Sequence, residues 1–330
     1  MSSDFVRTSG ALATDELSLA KFAADVHYYL HLNPRQLPSR YFYDELGSAL
    51  FEAICRLPWY GITRAESRLL AAHGREVFQA LDSLSSIVEL GSGSGEKLRT
   101  LVRAAGSRRR SLNVHLVDVS PSALELSART LGPVGDLRIV VHQSTYEAGL
   151  ADAARETGAA GRTLVLFLGS NIGNFDPPGA EEFVRNIRAS LKAGDALLMG
   201  ADLVKPERDL LLAYDDPLGV TAAFNRNLLV RINRELQGDF DVDRFAHRAV
   251  WNALESRIEM HLVARDAQAV HVARAQLDFH IERDEPIWTE SSYKYRPRDV
   301  SVLLERCGFR VTAQWIDSRD PFALTLVEAV

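Results

Sequence analysis

Five short segments made almost wholly of apolar residues, 86–90, 114–117, 137–142, 164–168 and 196–201, recur along the chain with helical stretches between them. A strand that is apolar on both sides of its pleat must have both faces covered, so this alternation predicts an α/β fold with a parallel sheet and helices on both faces. The first segment runs into a glycine loop and then a helix over residues 96–105, and the second ends at Asp118, where Ser120-Pro121 supplies a cap and a first-turn proline for the next helix. Further helices are expected over residues 15–32, broken by Asn33-Pro34, over 46–57, stopped by Pro58, and over 64–80 and 178–192.

After Asp202 the rhythm changes. Residues 222–236 read as helix, and 256–263 and 275–281 as longer alternating strands of antiparallel kind. From Tyr295 the first pattern resumes, with a helix over 297–307 and a pair of strands over 309–316 and 322–328. One large α/β domain carrying a second, α+β lobe is the organisation implied.

Composition narrows the function. Apolar residues make up 46% and charged residues 25%, which suits a folded globular chain and leaves little room for long disorder. A formal net charge of -6, with both signs interspersed, gives no broad cationic field and argues against nucleic acid as a partner. The local exception, Arg108-Arg109-Arg110, reads as a solvated loop or helix end. Cys55 and Cys307 belong to no CxxC pair or Cys/His cluster, which argues against a structural zinc or a disulfide framework and fits a reducing cytoplasm. The start of the chain lacks the apolar core of a secretory signal, and no run approaches a membrane span, so no membrane partner is expected.

The chemistry begins at Ile87-Val88-Glu89-Leu90-Gly91-Ser92-Gly93-Ser94-Gly95, a buried strand ending in a glycine loop. In a doubly wound sheet, ligands bind outside the carboxyl ends of the strands, where glycines let the backbone approach and a helix N-terminus offers free amides. A dinucleotide fingerprint wants a third glycine where Glu96 stands, and the acidic Glu89 suits a ligand with a cationic amino-acid end. Both points favour S-adenosylmethionine. Asp118 is placed to accept from ribose hydroxyls, with a part in capping the Ser120 helix as the plainer alternative. Thr145 and Tyr146, after the third strand, can offer adenine a polar contact and a flat wall.

The stretches Tyr41-Phe42-Tyr43-Asp44, Gly47-Ser48, Leu50-Phe51, Leu57-Pro58, Tyr60 and Thr63-Arg64-Ala65-Glu66 resemble the N-terminal segment of the histidine Nα-methyltransferases of ergothioneine biosynthesis. The similarity continues through Val88 to Lys97, Phe167-Leu168-Gly169-Ser170, Ile172-Gly173-Asn174, Ala201-Asp202-Leu203-Val204-Lys205 and Ala213-Tyr214-Asp215-Asp216. It then takes in Phe224-Asn225-Arg226-Asn227, Arg257-Ile258-Glu259-Met260 and Thr289-Glu290, Ser292 and Lys294.

The resemblance implies a Rossmann-like class I methyltransferase sheet over residues 65–203 and 295–330, a discontinuous substrate-binding lobe over 12–64 and 204–294, and a flexible start over 1–11. It implies a cofactor set of Tyr43, Gly91, Gly93, Lys97, Asp118, Thr145 and Tyr146, where close relatives carry an Asp-Phe pair at the last two positions. It implies a substrate set of Tyr60, Asn174, Tyr214, Met260, Glu290 and Ser292. Asn174 and Tyr214 would hold the carboxylate, Tyr60 would face the amine as the catalytic residue, and Glu290 with Ser292 would meet the two imidazole nitrogens. An imidazole needs an acceptor at one nitrogen and a donor or acceptor at the other, which a carboxylate and a hydroxyl provide. Tyr293, beside this pair, is bulkier than expected, and strand alternation points it away from the pocket.

The implied reaction is transfer of methyl groups from S-adenosylmethionine to the α-amine of L-histidine, three times to give hercynine, by a monomeric cytoplasmic enzyme that uses no metal. Taken singly, each residue has a plainer role: Met260 as core filler, Asn174 as a turn residue, Glu290 as a solvated strand carboxylate. His27 and His31 have metal-ligand spacing on a helix but no third ligand nearby, and read as packing residues. The alternatives are an N-methyltransferase acting on another amino acid or aromatic amine, and a catalytically idle protein that retains the cofactor fold.

Overall fold

The computed structural model describes residues 11–104, 106, 111–156 and 161–330. The Arg108-Arg109-Arg110 run, and all but Ala11 of the start expected to be flexible, lie outside the described residues. Elements are numbered along the chain, which forms two compact units.

The smaller unit holds the chain up to Phe42, Ala222–Arg248 and Met260–Glu290. Its helices are α1 (Ala11–Leu30) and, save its first two residues, α9 (Val220–Leu236). Save residues 249–252, 257–259 and 291–293, the unit also holds the strands ordered β1 (Arg35–Gln36), β11 (Pro286–Tyr293), β8 (Arg257–Ala264) and β7 (Phe245–Asn252), and β9 (Gln268–Val272) pairs antiparallel with β10 (Leu277–Ile281). Strict alternation of buried and partly buried residues along β8 is the mark of a sheet with one dry face. Phe42 stacks on Phe224 of α9 at 4.6 Å, and both are buried. Each large apolar side chain buried in this way contributes about 1.5–3 kcal/mol.

The larger unit runs from Tyr43 to Thr221 and adds Ala249–Glu259 and Ser291–Val330. It opens with α2 (Glu45–Ile54), capped by Asp44 accepting from Gly47 N at 2.7 Å, and α3 (Gly61–Gln79). The sheet elements then alternate: β2 (Leu84–Leu90), α4 (Glu96–Ala104), β3 (Leu112–Asp118), α5 (Pro121–Leu131), β4 (Leu137–Gln143), α6 (Tyr146–Glu156), β5 (Arg162–Phe167), α7 (Pro177–Ala189) and β6 (Ala196–Asp202). After α8 (Glu207–Tyr214), the chain returns to this unit's sheet with α10 (Pro297–Arg306) and the hairpin β12 (Phe309–Asp317) and β13 (Phe322–Ala329).

The seven strands order β12-β13-β6-β5-β2-β3-β4. β2 to β6 are parallel, and β13 inserts antiparallel between β6 and β12. All five apolar segments are strands of this sheet, which is Rossmann-like with helices between its strands. β6 is buried along its whole length, whereas β4, at the edge, alternates between exposed and half-buried residues. Ser120 caps α5 as expected, accepting from Ala123 N at 3.4 Å.

Residues 43–64 and 204–221 belong to the larger unit. The reason is local. α3 presents Ile62, Leu69 and Leu70 to the core, and Arg68 clamps Asp317 and Asp320 beside the β12–β13 turn at 2.7–2.8 Å. Val204 N donates to Tyr295 O at 3.0 Å, which ties the start of the α8 segment to the returning chain.

Tight packing continues up to the end of β3, where α6 lies so close that a Cβ on Gly149 would fall 2.2 Å from Val117 Cγ1. Gly149→Ala is therefore expected to overpack this seam and destabilise the fold by about 1–3 kcal/mol. Urea unfolding measures it, and an unchanged midpoint would refute the packing argument.

Candidate active site

The carboxyl end of β2 lies where the strand order reverses, with β3 on one side and β5 on the other, the position at which an open α/β sheet leaves a ligand crevice. The glycines that follow take positive φ, 78° at Gly91, 48° at Gly93 and 74° at Gly95, a region that side-chain-bearing residues avoid. Gly91 N donates to Val117 O at 2.8 Å, folding the loop over the end of β3. Gly95 is pressed on α5, its notional Cβ only 2.6 Å from Ser127 Oγ, whereas Gly93 has nothing within 4 Å and leaves its face open to a ligand.

Glu89, one residue before the end of β2, is 2% exposed, and its Oε2 has no hydrogen-bond partner among the described residues. Burial pushes its carboxyl up to about 8, against the pull of Lys97 and with the help of Glu66 and Asp118. An unpaired buried acid is costly, and the ammonium of an amino-acid ligand would supply the missing partner. The open glycine face and the orphan acid together fit S-adenosylmethionine.

Asp118 accepts from Gly93 N at 3.2 Å with one oxygen and from Ser120 N at 2.9 Å with the other. Its carboxyl therefore organises both the glycine loop and the α5 entry, and burial raises its pKa. The Lys97 ammonium lies 2.7 Å from the wholly buried Glu66, whose oxygens also accept from Gly169 N at 2.9 and 3.0 Å. Burial opposes the charge on Lys97, but Glu66 holds its pKa above the ordinary lysine value. Tyr43 packs edge-on to Phe51 at 5.6 Å. Tyr146 sits edge-on to Phe167 at 5.4 Å, with its hydroxyl 3.2 Å from where a Gly91 Cβ would stand. Its ring is thus committed beneath the glycine loop, leaving the exposed Thr145 as the freer member of the pair.

Of the residues expected to hold the acceptor, Tyr60, Tyr214 and Ser292 of the larger unit come together. Tyr60 follows Phe51 at 6.3 Å and faces Tyr214, from the end of α8, at 6.3 Å. The Tyr214 and Ser292 hydroxyls are 2.8 Å apart. Lys294 Nζ donates to both, at 2.7 and 2.8 Å, and lies 3.1 Å from Asp202 at the end of β6. Lys205 Nζ meets the other Asp202 oxygen at 2.6 Å. Burial works against the Lys294 ammonium, but Tyr214 and Asp202 outweigh it and raise its pKa. Burial first, then Tyr214, pushes the Tyr60 phenol well above its ordinary value, which favours its neutral form.

Asn174 is exposed at the end of the turn Asn171–Asn174, after β5. Tyr293 is buried, like Ser292 beside it, and its hydroxyl accepts from Arg257 at 2.6 Å. Met260 and Glu290 belong to the smaller unit: Met260 is 1% exposed with its carbonyl accepting from Thr289 Oγ1, and the Glu290 carbonyl accepts from Trp288 Nε1.

Roles for Glu66, Asp202, Lys205 and Lys294 were missed from sequence. Glu66 did leave a signal, a lone carboxylate on the apolar stripe of Ile62, Ala65, Leu69 and Leu70. Also unforeseen is a His/Glu group: His115 Nδ1 lies 3.0 Å from His142 Nε2 and 4.0 Å from Glu156, close enough to hold an ion. His27 and His31 each direct a ring nitrogen to a backbone carbonyl, and both cysteines are free. Among the described residues no helix is long and apolar enough to cross a membrane.

An open-faced glycine loop and a buried acid, at the switch point of a Rossmann-like sheet, suit the cofactor of the methyltransferase class. The family described as histidine-specific, SAM-dependent methyltransferases matches residues 22–329, and the chain belongs to it. It is 40% identical over 321 residues to a histidine N-alpha-methyltransferase of Mycolicibacterium smegmatis, covering 94% of this chain and 98% of the relative. It is 42% identical over 306 residues to one of Mycobacterium tuberculosis, covering 92% and 93%. A more distant relative, ergothioneine biosynthesis protein 1 of Neurospora crassa, is 28% identical over 78% of this chain and 31% of its own length.

The raised Glu89 value has two consequences. Since the folded chain holds this proton more tightly than the unfolded one, Glu89's contribution to stability falls as pH climbs from 4.5 toward about 8. A cofactor ammonium beside it favours the ionised form, so binding releases the proton. Cofactor affinity by calorimetry should therefore rise from about pH 6 toward about pH 8, where the ligand's own α-amine begins to lose its proton, and Glu89→Gln should flatten the rise. The same slope in the variant would rule out the Glu89 pairing.

Proposed function

We propose that this protein transfers methyl groups from S-adenosylmethionine to the α-amine of L-histidine, three times in succession to give hercynine, as a step of ergothioneine biosynthesis. The observation that carries the reading is the family's acceptor pattern, Tyr60, Asn174, Tyr214, Met260, Glu290 and Ser292, complete in this sequence, with the Tyr214 and Ser292 hydroxyls 2.8 Å apart on a buried lysine. The family description and the names of the relatives support histidine as the acceptor, and the Neurospora relative supports the pathway. The two free cysteines fit a cytoplasmic setting.

When bound, the cofactor supplies an electrophilic methyl group. The protein's part is to orient the acceptor and move protons. An ammonium has no lone pair, so the amine must lose a proton before each attack. Tyr60, kept neutral by burial, orients the amine as a hydrogen-bond partner and leaves the proton to pass to solvent. Asn174 and Tyr214 hold the carboxylate, and Asp118 takes the ribose. Glu290 and Ser292 meet the imidazole, and Met260 lines it with a soft apolar side chain.

Incubation with S-adenosylmethionine and a panel of amino acids, read by mass spectrometry, tests the assignment: histidine should gain up to three methyl groups, and preferential methylation of another amine would refute it. Glu290→Ala is expected to weaken histidine binding by about 1–3 kcal/mol while leaving the cofactor untouched. Calorimetry compares the two, and unchanged histidine affinity would remove Glu290 from the acceptor site.

A further inference from the structure

Two ammonium groups share one buried carboxylate beside the acceptor hydroxyls. Asp202 takes Lys205 on one oxygen at 2.6 Å and Lys294 on the other at 3.1 Å, with side-chain exposures of 2%, 11% and 0% respectively. The cluster therefore keeps a surplus positive charge. Lys294 Nζ has three protons, which its partners account for: Tyr214 Oη, Ser292 Oγ and Asp202 Oδ2. It also lies 4.6 Å from the centroid of the Tyr214 ring. In water such a lysine would move among rotamers, whereas here each N–H bond fixes one other group.

We propose that Lys294 is a positioning and specificity-determining residue: anchored on Asp202, it holds the hydroxyls of Tyr214 and Ser292 in one arrangement, and the surplus charge it shares with Lys205 selects acceptors with a free carboxylate. The inference rests on the reading of Tyr214 as a contact for an amino-acid acceptor. A hydroxyl whose oxygen accepts from an ammonium is a stronger donor, so Tyr214 offers a carboxylate a better hydrogen bond than an isolated phenol would. An amide or ester in place of the carboxylate gains little from that charge. Loss of Lys294 removes both effects, and loss of Lys205 removes only the surplus charge, because Lys205 bonds neither hydroxyl in the cluster described.

The test assays wild type, Lys294→Met and Lys205→Met with histidine, histidine amide and histidine methyl ester, alongside calorimetry of S-adenosylhomocysteine binding and thermal unfolding. Wild type should favour histidine over both neutral analogues. Lys294→Met should raise KM for histidine about tenfold or more, change kcat less, shrink the preference by a similar factor and leave S-adenosylhomocysteine affinity within about twofold. Lys205→Met, in which Lys294 still bonds both hydroxyls, should shrink the preference by raising KM for histidine more than for the neutral analogues, and it decides the charge argument even if Lys294→Met does not fold.

A preference that survives in the folded variants would overturn the proposal, as would equal losses on all three substrates, the result of a merely structural lysine. Wild type that methylates histidine but shows no preference for the free carboxylate overturns the proposal alone. Wild type that methylates none of the three overturns the histidine reading along with it.

Discussion

Glu66 is the point to which the cofactor half of the molecule is tied. Its side chain is wholly buried, and both oxygens are occupied by the Gly169 amide and the Lys97 ammonium. One carboxylate thus joins α3, the first turn of α4 and the loop after β5. Its space is provided by Gly200 on β6, where a Cβ would stand 2.1 Å from Glu66 Oε1. A charge taken this far from water is tolerable only with its partners in place, and breaking such a pair costs about 3–5 kcal/mol. The glycine loop is therefore held from both sides, by backbone bonds to the end of β3 and by the Glu66–Lys97 pair beneath the helix that follows.

The acceptor side repeats this logic with the charges exchanged. There the buried cation Lys294 is surrounded by oxygens, and the acid that balances it, Asp202, is the last residue of β6. Tyr214 and Ser292 come from segments far apart in the chain, and neither backbone fixes the distance between their hydroxyls. The ammonium between them does. Both halves thus rely on a desolvated ion pair to place groups that apolar packing alone would leave free to rotate.

Fold and site were legible to different degrees, for a physical reason. Four of the five parallel strands could be read because burial on two faces imposes an apolar run, a constraint local to each segment, and the edge strand β4 was read from its Ile139-Val140-Val141 run although none of its residues is fully buried. α6 and α8 were missed: small residues, Gly149 and Ala153 in the one and Ala213 in the other, stand among their buried positions, whereas α4 buries Leu98, Leu101 and Val102, and small side chains leave little of a stripe to read. β7, β9 and β11 mix polar and apolar residues and lack the continuous run that marked the parallel strands. At the site, the glycine loop, Glu89 and Asp118 announced themselves by position at strand ends. Glu66 and Lys294 stood within recognised motifs yet had no readable role, since their partners lie 103 residues away at Gly169 and 80 residues away at Tyr214. Pairing across such separations follows from topology, which a pattern of apolar residues does not specify.

Three carboxylates near the carboxyl ends of parallel strands of one sheet show how one residue type is made to do different work. Glu89 on β2 has an oxygen with no partner among the described residues, and burial keeps it poised near neutrality, so it is ready to take a cation. Asp118 on β3 receives backbone amides from its own loop and its neighbour, which fix the carboxylate without neutralising it. Asp202 on β6 is saturated by two lysines, and its charge is turned into a net positive one. The sheet delivers all three to the same edge of the molecule, and the partners then assign them. One edge of the sheet thus carries an acid with an unpartnered oxygen at β2, an acid held by backbone amides at β3 and an acid outweighed by two lysines at β6, so that a single residue type presents three different electrostatic surfaces.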